Sequence, residues 1–241
     1  MFNPFKKKIA FDFSELKTDV HSHLIPGIDD GVKTIDEAVE VVKKFEELGY
    51  QKLITTPHVM EGTYNNTPEI IYDGLEKLKE ELRKQNVNIQ LFAAAEYYYD
   101  DYFLNLIEKE KLMTFGDNFV LFEFPFAFPP NGVKELIFSL KSKGYKPVLA
   151  HFERYAYYHG SLSELEFFRN QGVKIQLNLV SLSGRYGKGV KNQAKKMIDS
   201  KLVDFVSTDC HRMEHLEIIE NERFKNYFKK INELTLINRT L

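Results

Sequence analysis

From Thr18 onward the chain alternates between two kinds of segment. A short apolar run is followed by apolar residues three and four apart, then by another short run, about seven times in all. The spacing predicts strands over 18–23, 51–56, 89–95, 119–124, 147–150, 174–178 and 203–208. Parallel strands need long crossovers, and the intervening helical stretches supply them, so the alternation predicts an α/β fold. Thr34-x-x-Glu37 and Ser161-x-x-Glu164 read as capping boxes. Thr67-Pro68 opens a helix with proline at its first position, and Gly49, Gly144 and Gly172 close helices. A closed or nearly closed barrel arranges such units economically. An open doubly wound sheet is the rival, and no Gly-x-Gly-x-x-Gly follows the first strand to favour its dinucleotide-binding form.

The strand ends carry most of the chain's histidines, together with several carboxylates. His21 and His23 end the first strand, with Asp29 and Asp30 in the loop beyond; His58 follows the second, Glu96 the third. Glu123 ends the fourth, His151 follows the fifth, and Asp209 and His211 follow the seventh. In a parallel barrel these positions all lie at the C-terminal face, where such barrels carry their sites. Residues two apart on a strand point the same way, so His21 can share an ion with His23, and Asp209 can share a cavity with His211. Five histidines with this many carboxylates exceed the needs of one ion. They imply two to three divalent ions sharing bridging carboxylates, with manganese first and iron, zinc or magnesium as alternatives. His159 and His215 fall outside the pattern.

Bulk properties narrow the setting. The 241 residues have 33 basic and 35 acidic side chains, so no basic excess points to nucleic acid. No 18 apolar residues run together and the single cysteine, Cys210, allows no intrachain disulfide, so a cytoplasmic location without a membrane span is expected. Residues 1–241 read as a single domain, and 1–15, with its basic start, as a flexible extension. Cys210 does not read as a nucleophile. A cysteine phosphatase closes its loop with an arginine six residues on, and here that position is Leu216. A small buried residue between two ligands is the better reading.

Six ordered segments carry a family resemblance. They are Asp19-Val-His-Ser-His-Leu-Ile-Pro-Gly-Ile-Asp-Asp-Gly31, Thr55-Thr-Pro-His-Val59, Ala94-Ala-Glu-Tyr-Tyr98, Ala150-His-Phe-Glu-Arg-Tyr155, Gln176-Leu-Asn178 and Ser207-Thr-Asp-Cys-His211. On these the chain resembles the polymerase-and-histidinol-phosphatase superfamily, and within it the bacterial capsule and exopolysaccharide tyrosine-protein phosphatases of the CpsB/CapC-like family. The resemblance implies a distorted seven-fold (β/α) TIM-like barrel with its metal site at the C-terminal strand ends. It implies one ion on His21, His23, Glu96 and Asp209, and a second on Glu96, Glu123 and His151. A third would take His58, His211 and either Asp29 or Asp30. Arg154 matches the family's phosphate-binding arginine, and Asp209 is a candidate for proton transfer.

The implied activity is metal-dependent hydrolysis of phosphotyrosine, on a protein such as a bacterial tyrosine kinase of polysaccharide export. Bound cations neutralise the phosphate dianion and activate water. A planar arginine fork such as Arg154 grips phosphate oxygens. Tyr97 and Tyr155, in an aromatic cluster beside the site loops, could stack on the phenyl ring. The apolar run Phe124-Pro-Phe-Ala-Phe-Pro-Pro130 could form a rim, lid or partner surface. Two features depart from the family: Phe152 stands where proline often follows the histidine, and only Arg212 is available as a second phosphate arginine. A small-metabolite phosphatase, for instance of histidinol phosphate, and a non-catalytic metal-binding module are the other readings. A homo-oligomer stays open.

Overall fold

The computed structural model describes residues 10–241. In chain order the elements are β1 (Thr18–Asp19), α1 (Ile35–Leu48), β2 (Lys52–Thr55), β3 (His58–Val59), α2 (Pro68–Lys84), β4 (Gln90–Ala93) and β5 (Glu96–Tyr98). Then come α3 (Asp101–Glu108), β6 (Phe119–Glu123), α4 (Val133–Ser142), β7 (Lys146–Leu149), α5 (Ser163–Asn170) and β8 (Lys174–Asn178). The chain continues through α6 (Lys188–Asp199), β9 (Phe205–Ser207), α7 (Met213–Glu222) and α8 (Asn226–Ile231). All ladder pairings are parallel, in two sheets ordered β1-β2-β4 and β3-β5-β6-β7-β8-β9. The expected α/β fold with parallel strands is therefore present.

Two of the strands expected from sequence are each broken in two. The second splits into β2 and β3 around Thr56-Pro57, because proline has no N–H for the ladder. The third splits into β4 and β5 around Ala94-Ala95. The breaks divide the curved surface into its two sheets.

The first and last strands meet through side chains more than through a ladder. Asn238 Nδ2 donates to Thr18 O (2.9 Å) and Val206 O (2.8 Å), while its Oδ1 accepts from Val206 N (3.0 Å). Asp19 Oδ2 accepts from Thr208 N at 2.8 Å. Beyond these, Ser22 and Cys210 form an isolated parallel bridge, Asp209 N donates to His21 O (2.8 Å), and His23 N to Cys210 O (2.9 Å).

Helix signals succeed where the side chain reaches the backbone. Thr34 Oγ1 accepts from Glu37 N, and Thr67 caps α2 with Pro68 at its first position. The Ser161 box fails: α5 starts at Ser163 with Leu162 at its cap, because Ser161 Oγ turns to Ser163 N at 3.1 Å. Helix α3, capped by Asp100 through Phe103 N (2.8 Å), was not expected.

The strands separate two apolar cores. Between strands and helices, α1 buries Val39, Val42 and Phe45 and α2 buries Leu75 and Leu78 against Leu53, Leu91 and Phe122. Each such side chain contributes roughly 1.5–3 kcal/mol of burial. On the opposite strand face Val20, Ile54, Leu121, Val148 and Phe205 form an inner core with Phe115 and Phe119. Of the extension expected over 1–15, residues 1–9 lie outside the described residues. Phe11 and Phe13 are buried, meeting Phe228 at 5.8 and 6.2 Å between ring centres.

Candidate metal centre

The pleat that buries the inner core also places the candidate ligands. Leu121 faces inward, so Glu123, two residues on, faces inward at the end of β6. Ala94 and Glu96 obey the same parity. His151 and Asp209 follow β7 and β9 with φ of 32° and 50°, a left-handed conformation that costs a non-glycine residue on the order of 1–3 kcal/mol. Gln176 Oε1 stabilises the first turn by accepting from His151 N at 2.7 Å, and the Asp209–His21 backbone bond stabilises the second.

Four groups of side chains bring ligand atoms within 4.8 Å of one another: His23, Asp30, His58 and His211; His21, His23 and Glu96; His21, His151 and Asp209; and His58, Glu96 and Glu123. The centre of the cluster is Glu96. Its Oε2 lies 3.0 Å from His21 Nε2, 3.2 Å from His58 Nδ1 and 3.4 Å from His23 Nε2, yet it has no hydrogen-bond partner.

Surrounding acceptors fix how the imidazoles face. His21 Nδ1 meets Gln176 Oε1 at 3.2 Å, His23 Nδ1 meets Asp29 Oδ2 at 2.8 Å, and His211 Nδ1 meets Asp209 O at 2.9 Å. An acceptor at Nδ1 places a proton there and turns Nε2 toward the cluster, the orientation of metal-binding histidines. Lone pairs and carboxylate oxygens converging on shared points fit divalent cations, and the absence of thiolate among them fits manganese, iron or zinc.

Charge at the cluster is unbalanced without cations. Burial works against Glu96 and Asp209, but His21 beside both holds each well below the usual carboxylate range. Burial and the Glu96 charge push Glu123 well above it. Burial, reinforced by Arg154, pushes His151 down to about 4, so its ring is neutral and able to donate a lone pair.

Asp29 and Asp30 separate by geometry. Asp29 has both oxygens engaged: Oδ1 accepts from Gly31 N (2.9 Å), and Oδ2 takes His23 Nδ1 and His58 N (3.1 Å). Asp30 Oδ1 instead lies 3.4 Å from His211 Nε2 and 3.5 Å from His58 Nε2.

A cleft of about 280 Å³ opens onto the cluster. Arg154 and Arg212 line it, as does His215, which the sequence pattern had left outside. His215 Nδ1 lies 3.1 Å from Asp209 O. Phe126, Arg185 and Tyr186 also line the cleft; Phe126 lies in the run expected as a rim, lid or partner surface, while sequence reasoning had given Arg185 and Tyr186 no site role. Arg185 pairs with Glu214 through both nitrogens (2.5 and 3.0 Å).

Two expected substrate contacts are corrected. Tyr97 is buried outside the strands, stacked on Phe103 with its hydroxyl accepting from Met113 N at 2.7 Å. As the neighbour of inward-facing Glu96 it must point outward, a signal already present in the alternation. Tyr155 is fully buried and its hydroxyl accepts from Phe124 N at 3.0 Å. Cys210 is buried beneath the cluster, off the cleft wall, and burial pushes its thiol far up, which suits packing and not nucleophilic attack.

Known proteins bear on this geometry. The family model for capsular polysaccharide synthesis, CpsB/CapC, matches residues 17–234. The tyrosine-protein phosphatase YwqE of Bacillus subtilis is 28% identical over 197 residues, 81% of this chain and 78% of its own. The putative tyrosine-protein phosphatase CapC of Staphylococcus aureus is 27% identical over 219 residues, 88% of this chain and 86% of its own. A chain from the crystal structures of YwqE and of CpsB from Streptococcus pneumoniae, described as unique metal-dependent tyrosine phosphatases, superposes with a TM-score of 0.77. It is 26% identical, over 90% of this chain and 91% of that one.

Proposed function

The chain belongs to the CpsB/CapC family of capsular polysaccharide synthesis, and from that premise we propose that it is a metal-dependent protein-tyrosine phosphatase. The carrying observation is Glu96 Oε2, buried among three imidazole nitrogens without a hydrogen bond, at the base of a cleft lined by Arg154. Two to three divalent ions would be held by His21, His23, Glu96 and Asp209, by Glu96, Glu123 and His151, and by His58, His211 and Asp30. Manganese is the first choice. Asp29 orients His23 and does not bind metal. The two sheets, joined at Ser22 and Cys210, form a distorted seven-fold barrel in this reading. Residues 1–241 form one domain, cytoplasmic in location.

When bound, the ions neutralise the phosphate dianion and supply activated water. The chain's own residues do the rest. Arg154, fixed by Asp209 Oδ2 at 3.1 Å, keeps donors free for the phosphate oxygens. Asn178 Nδ2 donates to the same Asp209 oxygen at 2.8 Å, holding the carboxylate in place. A phenolate leaves readily, so the site needs no strong general acid. The substrate is a phosphotyrosine protein, with a tyrosine kinase of polysaccharide export as the candidate.

Elemental analysis should find two to three ions per chain. Chelation should abolish hydrolysis of a phosphotyrosyl peptide, and Mn²⁺ should restore it. Bound metal with peptide turnover no faster than that of His21→Ala would leave a metal-binding module. Faster turnover of histidinol phosphate than of the peptide would make the enzyme a metabolite phosphatase.

A further inference from the structure

Arg154 lies between two aromatic rings contributed by different loops. Its Cζ is 4.6 Å from the centre of the Phe126 ring and 4.6 Å from that of Tyr186. Phe126 belongs to the apolar run after β6, and Tyr186 to the turn between β8 and α6.

Both rings are anchored. Phe126 stacks on buried Tyr155, with centres 5.7 Å apart and planes at 28°. Tyr186 sits between Gly184 (φ 93°) and Gly187 (φ 97°), whose left-handed backbones close a turn with Gly187 N donating to Gly184 O at 2.9 Å.

A guanidinium donates only within its own plane. Rings over its faces exclude water there and fix the plane's orientation, leaving the edge for ligands. Nη1 is engaged with Asp209 Oδ2, so the other edge donors remain for an anion in the cleft.

We propose that Phe126 and Tyr186 are positioning residues that clamp Arg154 edge-on to the substrate phosphate. The inference rests on Arg154 being the phosphate-binding arginine. It gives the apolar 124–130 run a role: one of its phenylalanines is a wall of the phosphate site. Phe126 is 43% exposed, so changing it removes the clamp without opening the core.

The test is a double-mutant cycle on the metal-loaded enzyme, with a phosphotyrosyl peptide as substrate and inorganic phosphate as inhibitor. Phe126→Leu and Tyr186→Leu should each lower kcat/KM and weaken phosphate inhibition about three- to tenfold, with metal content unchanged. In an Arg154→Lys background the same changes should cost almost nothing more, because the planar partner is gone. Phe126→Tyr, which keeps the ring, should restore near-normal values. Equal losses in both backgrounds would overturn the clamp, as would no loss from Phe126→Leu. If Arg154→Lys itself leaves kcat/KM unchanged, the phosphate role of Arg154 fails first.

Discussion

Strand β6 begins on Phe119 and ends on Glu123, and both side chains face the same interior. Around Phe119 the interior is hydrocarbon: Phe115, Phe119 and Phe205 meet with ring centres 5.3–5.9 Å apart. Around Glu123 it is imidazole and carboxylate, and the cleft opens onto it. The aromatic end is satisfied by its own contacts. The polar end has a carboxylate oxygen without a hydrogen bond and a second carboxyl forced toward its protonated form. One end stabilises the chain, while the other is completed only by cations.

The largest expected effect falls on the polar end. Glu96→Gln should lower phosphotyrosyl peptide turnover about a thousandfold, with loss of bound metal measured by elemental analysis. A variant that kept both would break the contrast outright. Phe205→Ala tests the other end. It should cost about 3–5 kcal/mol of unfolding free energy in a urea titration, while metal content and kcat stay near wild type. Loss of metal in that variant would mean the two ends are one cooperative unit. The smallest effect sharpens the boundary of the polar end. Asp29→Asn should weaken metal affinity about 10- to 100-fold without changing the ion count at saturation. Asp30→Asn should lower the count, and the reverse result would exchange their roles.

Much of this contrast was legible in the chain. Histidines and carboxylates at successive strand ends needed only the parity of a strand and the common direction of parallel strands to bring them together. Parity also explains the misplaced Tyr97, since a neighbour of Glu96 on a strand must face away from it. Arg185 and Tyr186 were not legible as site residues, and Phe126 was legible only as part of a run that could form a rim, lid or partner surface. They sit on loops whose course is set by packing: Phe126 is placed by Tyr155, and Tyr186 by a two-glycine turn. The second arginine, sought after the Asp-x-His pair, has two occupants in the cleft, Arg212 and Arg185, the latter from a different loop. Strand breaks at Thr56-Pro57 were signalled by proline, but those at Ala94-Ala95 by nothing local.

Asn238 carries a consequence for how the protein folds. It joins Thr18 to Val206, so the first strand is tied to the last by a contact that spans 220 positions of sequence. His21 and Asp209, adjacent in the cluster, are likewise nearly a chain length apart. Closing so long a loop comes late in folding. Until that closure the imidazoles and carboxylates are separate, weak ligands. The tight site, and with it any hydrolysis, arrives only when the first and last strands have met.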